Sequence, residues 1–308
     1  MSTNSVLVTG GSGFIGTWVL RELLGQGKRV VALDVRPATE RWNRVLGARA
    51  KDVVFSEVSL TDRDGLAALM KEHGISHVIH LAALLTPDCQ KDPFLGCQVN
   101  VLGSTAVFDA ARLAGSVQAI GFASSYAVYG RASATTPQPP MFYGAFKRAV
   151  DLIAEQYWSH FGLRSLAIRP HVVYGPEREI GLTAGPSLAC RAAARGESYE
   201  IGYTGTAGYD YVEDVARAFV RGVLECPAGA TVADLPSEPA TTHEIAQIIE
   251  RCVTAATGRI SVTGPAIPEN IPSDFRDLRQ VLPGWEPTSL ASGIARTIAY
   301  YRSAENTA

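Results

Sequence analysis

The stretch that most constrains this chain is residues 6–16, Val-Leu-Val-Thr-Gly-Gly-Ser-Gly-Phe-Ile-Gly. An apolar run meets closely spaced glycines and passes directly into an amphipathic pattern over residues 14–24, so strand, tight turn and helix follow without a linker. Such a turn lets the backbone approach a pyrophosphate without interference from Cβ atoms, and the helix behind it offers unpaired N–H groups and a favourable dipole. Gly10, Gly13, Phe14, Ile15 and Gly16 are therefore predicted to hold a dinucleotide. A second apolar strand over residues 29–33 ends at Asp34, placed to accept hydrogen bonds from the adenosine ribose.

Strands and helices continue to alternate along the chain. Apolar runs at 52–56, 77–81, 118–123 and 163–168 read as strands, and the periodic segments 62–72, 94–114 and 141–160 as helices. This is the pattern of an α/β protein with a Rossmann-type, doubly wound parallel sheet. The turn Ala82-Ala83-Leu84 follows the fourth strand at its carboxyl end, where ligands of open α/β sheets bind. A proline-rich piece, 135–140, closes a loop. Past Pro176 the regularity weakens, with helices expected at 187–195, 214–224, 241–254 and 290–301 and a strand at 231–235. The expected division is a dinucleotide-binding domain over 1–174, partly rejoined by 209–263, and a smaller carboxy-terminal substrate lobe from 175–208 and 264–308.

Charge is nearly balanced, 28 basic against 30 acidic residues with no basic run, which points to a small-molecule substrate rather than nucleic acid or a membrane surface. No stretch approaches the roughly 20 apolar residues needed to span a bilayer, and residues 1–5 are too short and polar for a signal peptide. The expected location is cytoplasmic. Five scattered cysteines, at 89, 97, 190, 226 and 252, lack metal-ligand spacing and read as reduced, buried thiols. His73 and His77 stand four apart, but Gly74 ends the helix between them, so no metal site is predicted.

Tyr143 and Lys147 lie one helical turn apart and form the sharpest catalytic pair. A phenol with an ordinary pKa near 10 is a poor base, and a neighbouring ammonium is expected to lower it. Ser125, at the end of the preceding strand, is placed to hydrogen-bond the same substrate oxygen.

With these residues in this order, the chain resembles the extended short-chain dehydrogenase/reductase superfamily of the NAD-dependent epimerase/dehydratase type. The resemblance rests on Thr9-Gly-Gly-Ser-Gly-Phe-Ile-Gly16, His80-Leu-Ala-Ala83, Val99-Asn-Val-Leu-Gly103, Ser124-Ser-Tyr-Ala-Val-Tyr-Gly130, Tyr143-Gly-Ala-Phe-Lys147, Arg169-Pro-His-Val-Val-Tyr-Gly-Pro176 and Asp210-Tyr-Val-Glu-Asp-Val-Ala216. It implies that Tyr143 exchanges a proton with the substrate hydroxyl, that Ser125 orients the oxygen, and that Lys147 also holds the nicotinamide ribose. It further implies that Leu81, Ala82, Ala83, Pro170 and His171 border the cofactor and that Asn100 sits behind it. An aspartate that commonly faces the adenine is replaced by Ser59, beside Leu60. Asp34 would repel a 2′-phosphate, which favours NAD over NADP even with Arg36 nearby.

The departures bear on substrate. Tyr126-Ala127 stands where 4,6-dehydratases carry Asp-Glu, which removes the acid and base for eliminating water. Val172 and Ala207 stand where relatives acting on sugar nucleotides carry an asparagine and a diphosphate-binding arginine. Arg178, Arg191 and Arg195 are possible substitutes, although an arginine in that lobe is by default a solvated surface group. The expectation is an NAD-dependent dehydrogenase of a small sugar, sugar acid or polyol. The alternative is an epimerase, acting on a sugar with or without a nucleotide, that forms the same ketone transiently, and the more remote one a non-catalytic NAD-binding regulator. His171 either touches the carboxamide or substrate or fills space, and His80 is expected to be a structural hydrogen-bonding residue. The helices over 94–114 and 141–160 carry surplus apolar positions, and in the superfamily such helices form a two-fold interface, so a homodimer is expected.

Overall fold

A computed structural model describes residues 5–130, 138–268, 272 and 274–305. Residues 1–4, the 135–137 part of the proline-rich loop, and 269–271, 273 and 306–308 of the expected lobe lie outside the described residues.

The strands are β1 (Ser5–Thr9), β2 (Arg29–Leu33), β3 (Val53–Ser56), β4 (Ile75–His80), β5 (Ala119–Ala123), β6 (Arg164–Arg169), β7 (Val172–Tyr174), β8 (Tyr199–Ile201), β9 (Thr206–Tyr211), β10 (Ala230–Asp234), β11 (Glu238–Thr241) and β12 (Ile260–Val262). Seven of them form one parallel sheet in the order β10-β6-β5-β4-β1-β2-β3. The order reverses between β1 and β4, and in such sheets the crevice outside the strand ends at the reversal is the binding place. There the chain ends meet: Leu81 N–H donates to Thr9 O at 3.0 Å, and Thr9 Oγ1 hydrogen-bonds His80 Nδ1 at 2.7 Å.

The helices are α1 (Phe14–Gly25), α2 (Thr39–Leu46), α3 (Arg63–Glu72), α4 (Thr86–Lys91), α5 (Pro93–Cys97), α6 (Ser104–Ala114), α7 (Phe142–Phe161), α8 (Gly185–Ala194), α9 (Val212–Leu224), α10 (Thr242–Cys252), α11 (Leu278–Val281) and α12 (Leu290–Glu305). Pleating sends alternate β1 side chains to opposite faces, so Leu7 packs with Leu66, Phe108 and Val150 under α3, α6 and α7, while Val6 and Val8 pack with Leu20, Val215 and Phe219 under α1 and α9. The second cluster runs on without a break into Ile201, Tyr203, Ile245 and Ile298. The smaller sheets, β11-β9-β7 and β12-β8, lie outside the seven-stranded one, whereas β10 pairs with β6 within it.

The helix expected over 94–114 contains a π-helical segment, Gln98–Gly103, between α5 and α6. Ser104 and Thr105 donate their hydroxyls back to the carbonyls of Asn100 and Val101, and Gly103 makes room for Leu60, whose Cδ2 would lie 2.8 Å from an added Cβ. The five cysteines are free thiols, but Cys97 and Cys252 are exposed, because helix faces that looked apolar turn partly outward. Among the described residues no helix is long and apolar enough to cross a membrane.

Candidate functional site

The glycine turn forms a cradle with no room for side chains. Gly10 has φ +73° and a Cβ there would lie 2.8 Å from Ala82 N, while a Cβ on Gly16 would lie 2.0 Å from Gly10 O. Helix α1 begins behind the turn with neither a side-chain cap nor an acidic residue in its first turn, so its first N–H groups and dipole face the crevice. From the other side Arg41 donates to Ser12 O at 2.8 Å and Trp42 Nε1 to Gly11 O at 3.2 Å, which fixes the loop. Asp34 accepts from Ser12 N–H at 3.1 Å and Val35 N–H at 2.8 Å, leaving carboxylate lone pairs for ribose hydroxyls. N–H groups free to donate to a pyrophosphate, a Cβ-free wall and a carboxylate to accept from the ribose together fit a dinucleotide.

The remaining cofactor candidates surround the same crevice. Asn100 clamps Leu84 by accepting from its N–H at 2.8 Å and donating to its carbonyl at 2.9 Å, which holds Leu81, Ala82 and Ala83 against the turn. Ser59 is exposed and hydrogen-bonded to Thr61 Oγ1 at 3.1 Å, with Leu60 half-buried against Gly103. Pro170 accepts from Tyr126 N–H at 3.1 Å. His171 sets its ring against that of Tyr126, tilted by 34°, donates its backbone N–H to Asp210 at 2.7 Å, and is pushed down to about 4 by burial, so it is neutral. His80 bridges Thr9 and Ser104, the second bond being 2.8 Å, and burial lowers it to about 3. A ring engaged at both nitrogens in this way has the structural hydrogen-bonding role expected of it.

Tyr143 lies in the first turn of α7, and Gly144 permits the approach: a Cβ there would stand 2.0 Å from Ala127 O in the turn after β5. That contact sets Tyr143 within reach of Ser125, whose side chain influences the phenol and whose Oγ accepts from Ala127 N–H at 3.1 Å. Lys147 is buried and its Nζ donates to Ala123 O at 2.7 Å, lying 5.7 Å from the Tyr143 ring centroid. The expected depression of the tyrosine is not present: burial pushes Tyr143 up to about 12, partly opposed by Ser125 and Arg178. Burial also lowers Lys147 to about 8, against the opposing pull of Asp151. Desolvation is the largest influence on both groups.

Three residues near the site gave weaker signals in sequence. Asp151, at i+4 from Lys147, is buried and accepts from Arg169 at 2.8 Å. Arg169 in turn donates to Tyr129 O–H at 2.6 Å, forming a polar floor beneath β5 and β6. Arg178 is not the solvated surface group expected by default but half-buried, within electrostatic reach of Tyr143. Arg191, by contrast, sits 3.8 Å from Glu179.

A parallel sheet with its crevice at the reversal, a glycine cradle and a Ser-Tyr-Lys group beside it define a dinucleotide-dependent enzyme of the Rossmann type. A family model for the NAD dependent epimerase/dehydratase family matches residues 6–232. The chain is 31% identical to a UDP-glucose 4-epimerase of Mycolicibacterium smegmatis, over 96% of its own length and 98% of the relative's. It is 27% identical to UDP-glucuronate 4-epimerase 4 of Arabidopsis thaliana, covering 98% of this chain and 77% of that one. In structure it resembles the Thermus thermophilus UDP-glucose 4-epimerase solved in complex with NAD, with a TM-score of 0.78 and 27% identity over 97% and 99% of the two chains. The chain belongs to the NAD dependent epimerase/dehydratase family. It is an NAD-dependent enzyme of the extended short-chain dehydrogenase/reductase superfamily.

Proposed function

We propose that this protein is an NAD-dependent sugar epimerase, inverting a secondary alcohol carbon without net redox change. The observation that carries this reading is Ser125 and Tyr143 within reach of each other, with buried Lys147 5.7 Å from the Tyr143 ring centroid. Relatives matching almost the whole chain are named as 4-epimerases, so epimerisation is better supported than the net dehydrogenase expected first. Tyr143 Oη would take the proton of the reacting hydroxyl and later return it, with Ser125 Oγ holding the same oxygen. Lys147 would supply positive charge beside the phenolate and a donor for the cofactor ribose. When bound, NAD supplies a hydride acceptor to this pocket. Gly10, Gly13, Phe14, Ile15, Gly16 and Asp34 would bind its pyrophosphate and adenosine half, and Ser59, Leu60, Leu81, Ala82, Ala83, Asn100, Pro170 and His171 would complete its walls.

In this reading residues 1–174, with part of 209–263, serve the cofactor and 175–208 with 264–308 the substrate. The names of the relatives favour a UDP-sugar. A free sugar or sugar acid is the second reading, favoured by Val172 and Ala207, both buried and unable to bind a diphosphate through their side chains. The test is to incubate NAD-loaded protein with UDP-glucose, UDP-glucuronate and the corresponding free sugars, following the C4 epimer by NMR and NADH by absorbance. Epimer without NADH accumulation is expected; steady NADH formation on any of them would replace the epimerase with a dehydrogenase.

A further inference from the structure

We propose that Arg178 is the anion-binding residue of the substrate pocket, and that the anionic oxygens it takes belong to the substrate. The inference rests on the epimerase reading only for the choice of sugar probes.

The turn after β7 sends two neighbouring side chains to opposite sides. Glu177 is the one non-glycine residue with positive φ among the described residues, at +70°, a conformation that persists only when its surroundings enforce it. They do: its buried carboxylate accepts from Arg44 at 3.0 and 2.7 Å and from Tyr300 O–H at 3.1 Å, and its backbone N–H donates to Tyr301 Oη at 2.9 Å. With Glu177 clamped to α2 and α12, Arg178 extends towards the crevice instead.

There the guanidinium meets only neutral groups. It donates to Val173 O and, at 2.8 Å, to Thr183 Oγ1, and its Cζ lies 6.0 Å from the Phe14 ring centroid. The side chains exerting electrostatic influence on it are the phenols of Tyr203, Tyr143 and Tyr209, with no carboxylate among them. Burial lowers Arg178 to about 10, so it remains a cation at neutral pH. Arg41, Arg44, Arg169, Arg191 and Arg217 each lie within 4.0 Å of an acidic side chain. A desolvated guanidinium without an anion is costly, and its planar fork matches a carboxylate or phosphate. Arg178 and Tyr143 lie within electrostatic reach of each other, so an anion held by Arg178 would sit on the side of the pocket that faces Tyr143. A uronate, whose carboxyl carbon is attached to the ring carbon next to C4, fits that placement. A diphosphate folded back towards the site carries the same chemistry.

Calorimetric titration of NAD-loaded wild type, Arg178→Met and Arg178→Lys with UDP-glucuronate, UDP-glucose and free glucuronate separates these sources. Loss of the charge-assisted contact is expected to weaken UDP-glucuronate or free glucuronate binding by about tenfold or more in Arg178→Met, with Arg178→Lys intermediate. UDP-glucose binding within about twofold of wild type places the carboxylate at Arg178; a matching loss for UDP-glucose, with NAD affinity unchanged, places the diphosphate there. Unchanged affinity for every probe, a parallel loss of NAD affinity, or wild-type protein that binds none of the probes overturns the proposal. Binding without C4 inversion would instead remove the epimerase reading and leave the anion site standing.

Discussion

Lys147 donates to the Ala123 carbonyl at 2.7 Å, so the ammonium is anchored to the end of β5 rather than bonded to the Tyr143 hydroxyl one helical turn away. The side chain that most counters the effect of burial on the tyrosine is Ser125. The lysine's charge is held between the β5 terminus and Asp151.

Replacing Tyr143 by Phe removes the hydroxyl that would move the proton. Turnover should fall by roughly 10²- to 10⁴-fold while NAD affinity stays within about twofold. Steady-state kinetics with a fluorescence titration of NAD test this, and retained turnover would end the acid–base role of Tyr143.

Asp34→Asn replaces the carboxylate that accepts from Ser12 N–H and is proposed to hold the ribose. Losing charge-assisted bonds worth about 1.5–3 kcal/mol should weaken NAD binding by about 10- to 100-fold, and the preference over NADP should narrow. Equal NAD affinities in the two proteins would remove Asp34 from the site.

Gly16→Ala would press a methyl group to 2.0 Å from Gly10 O and 2.9 Å from Gly11 Cα, both backbone atoms that cannot rotate away. Helix α1 must retreat from the turn, at a cost of about 1–3 kcal/mol, and the cradle loosens. A lowered melting temperature together with weakened NAD binding is expected; a protein as stable as wild type would show that the turn yields freely.

His80 makes stability depend on pH. Its folded pKa, about 3, lies below the ordinary 6.5, so the neutral ring's contribution is complete above pH 6.5 and is lost as pH falls towards 3. One proton per molecule corresponds to about 1.4 kcal/mol per pH unit. The stability difference between wild type and His80→Gln, measured by urea unfolding, should therefore shrink by about 2–3 kcal/mol between pH 6.5 and 4.5. A constant difference would mean that His80 takes up its proton without unfolding.

Phe94, Leu102, Leu152 and Phe161 are 75, 53, 46 and 58% exposed on α5, the π segment and α7. We propose that they meet a second copy in a two-fold homodimer. Sedimentation should give twice the chain mass, and Leu152→Glu should halve it by burying a charge at the contact. A monomeric wild type would leave these apolar faces unexplained.

The dinucleotide cradle was readable because everything it needs is local. Glycines at 10, 13 and 16 and an acid after the second strand are short-range requirements of one β-α-β unit, and the structure places them as expected. The Tyr143–Lys147 spacing was readable for the same reason, since one helix turn sets it. The π segment was not, because residues 94–114 carry an unbroken apolar rhythm and the extra residue per turn arises where Asn100 reaches Leu84 and Gly103 meets Leu60.

The amino-acid sequence by itself determined the order of strands and helices, the glycine turn and the Tyr143–Lys147 spacing, since periodicity and i,i+4 spacing act along the chain. Only the tertiary structure decided how those groups ionise and which arginine faces the site. Desolvation of Tyr143 and Lys147 depends on what β5, α4 and α7 bring over them, and burial, unlike spacing, is a property of the assembled core. Arg178 differs in sequence from any surface arginine only by its place after Gly175-Pro176. Its charge is isolated because Phe14, Tyr143, Tyr203 and Tyr209, distant along the chain, converge on it while Glu177 is held away by Arg44 and Tyr300.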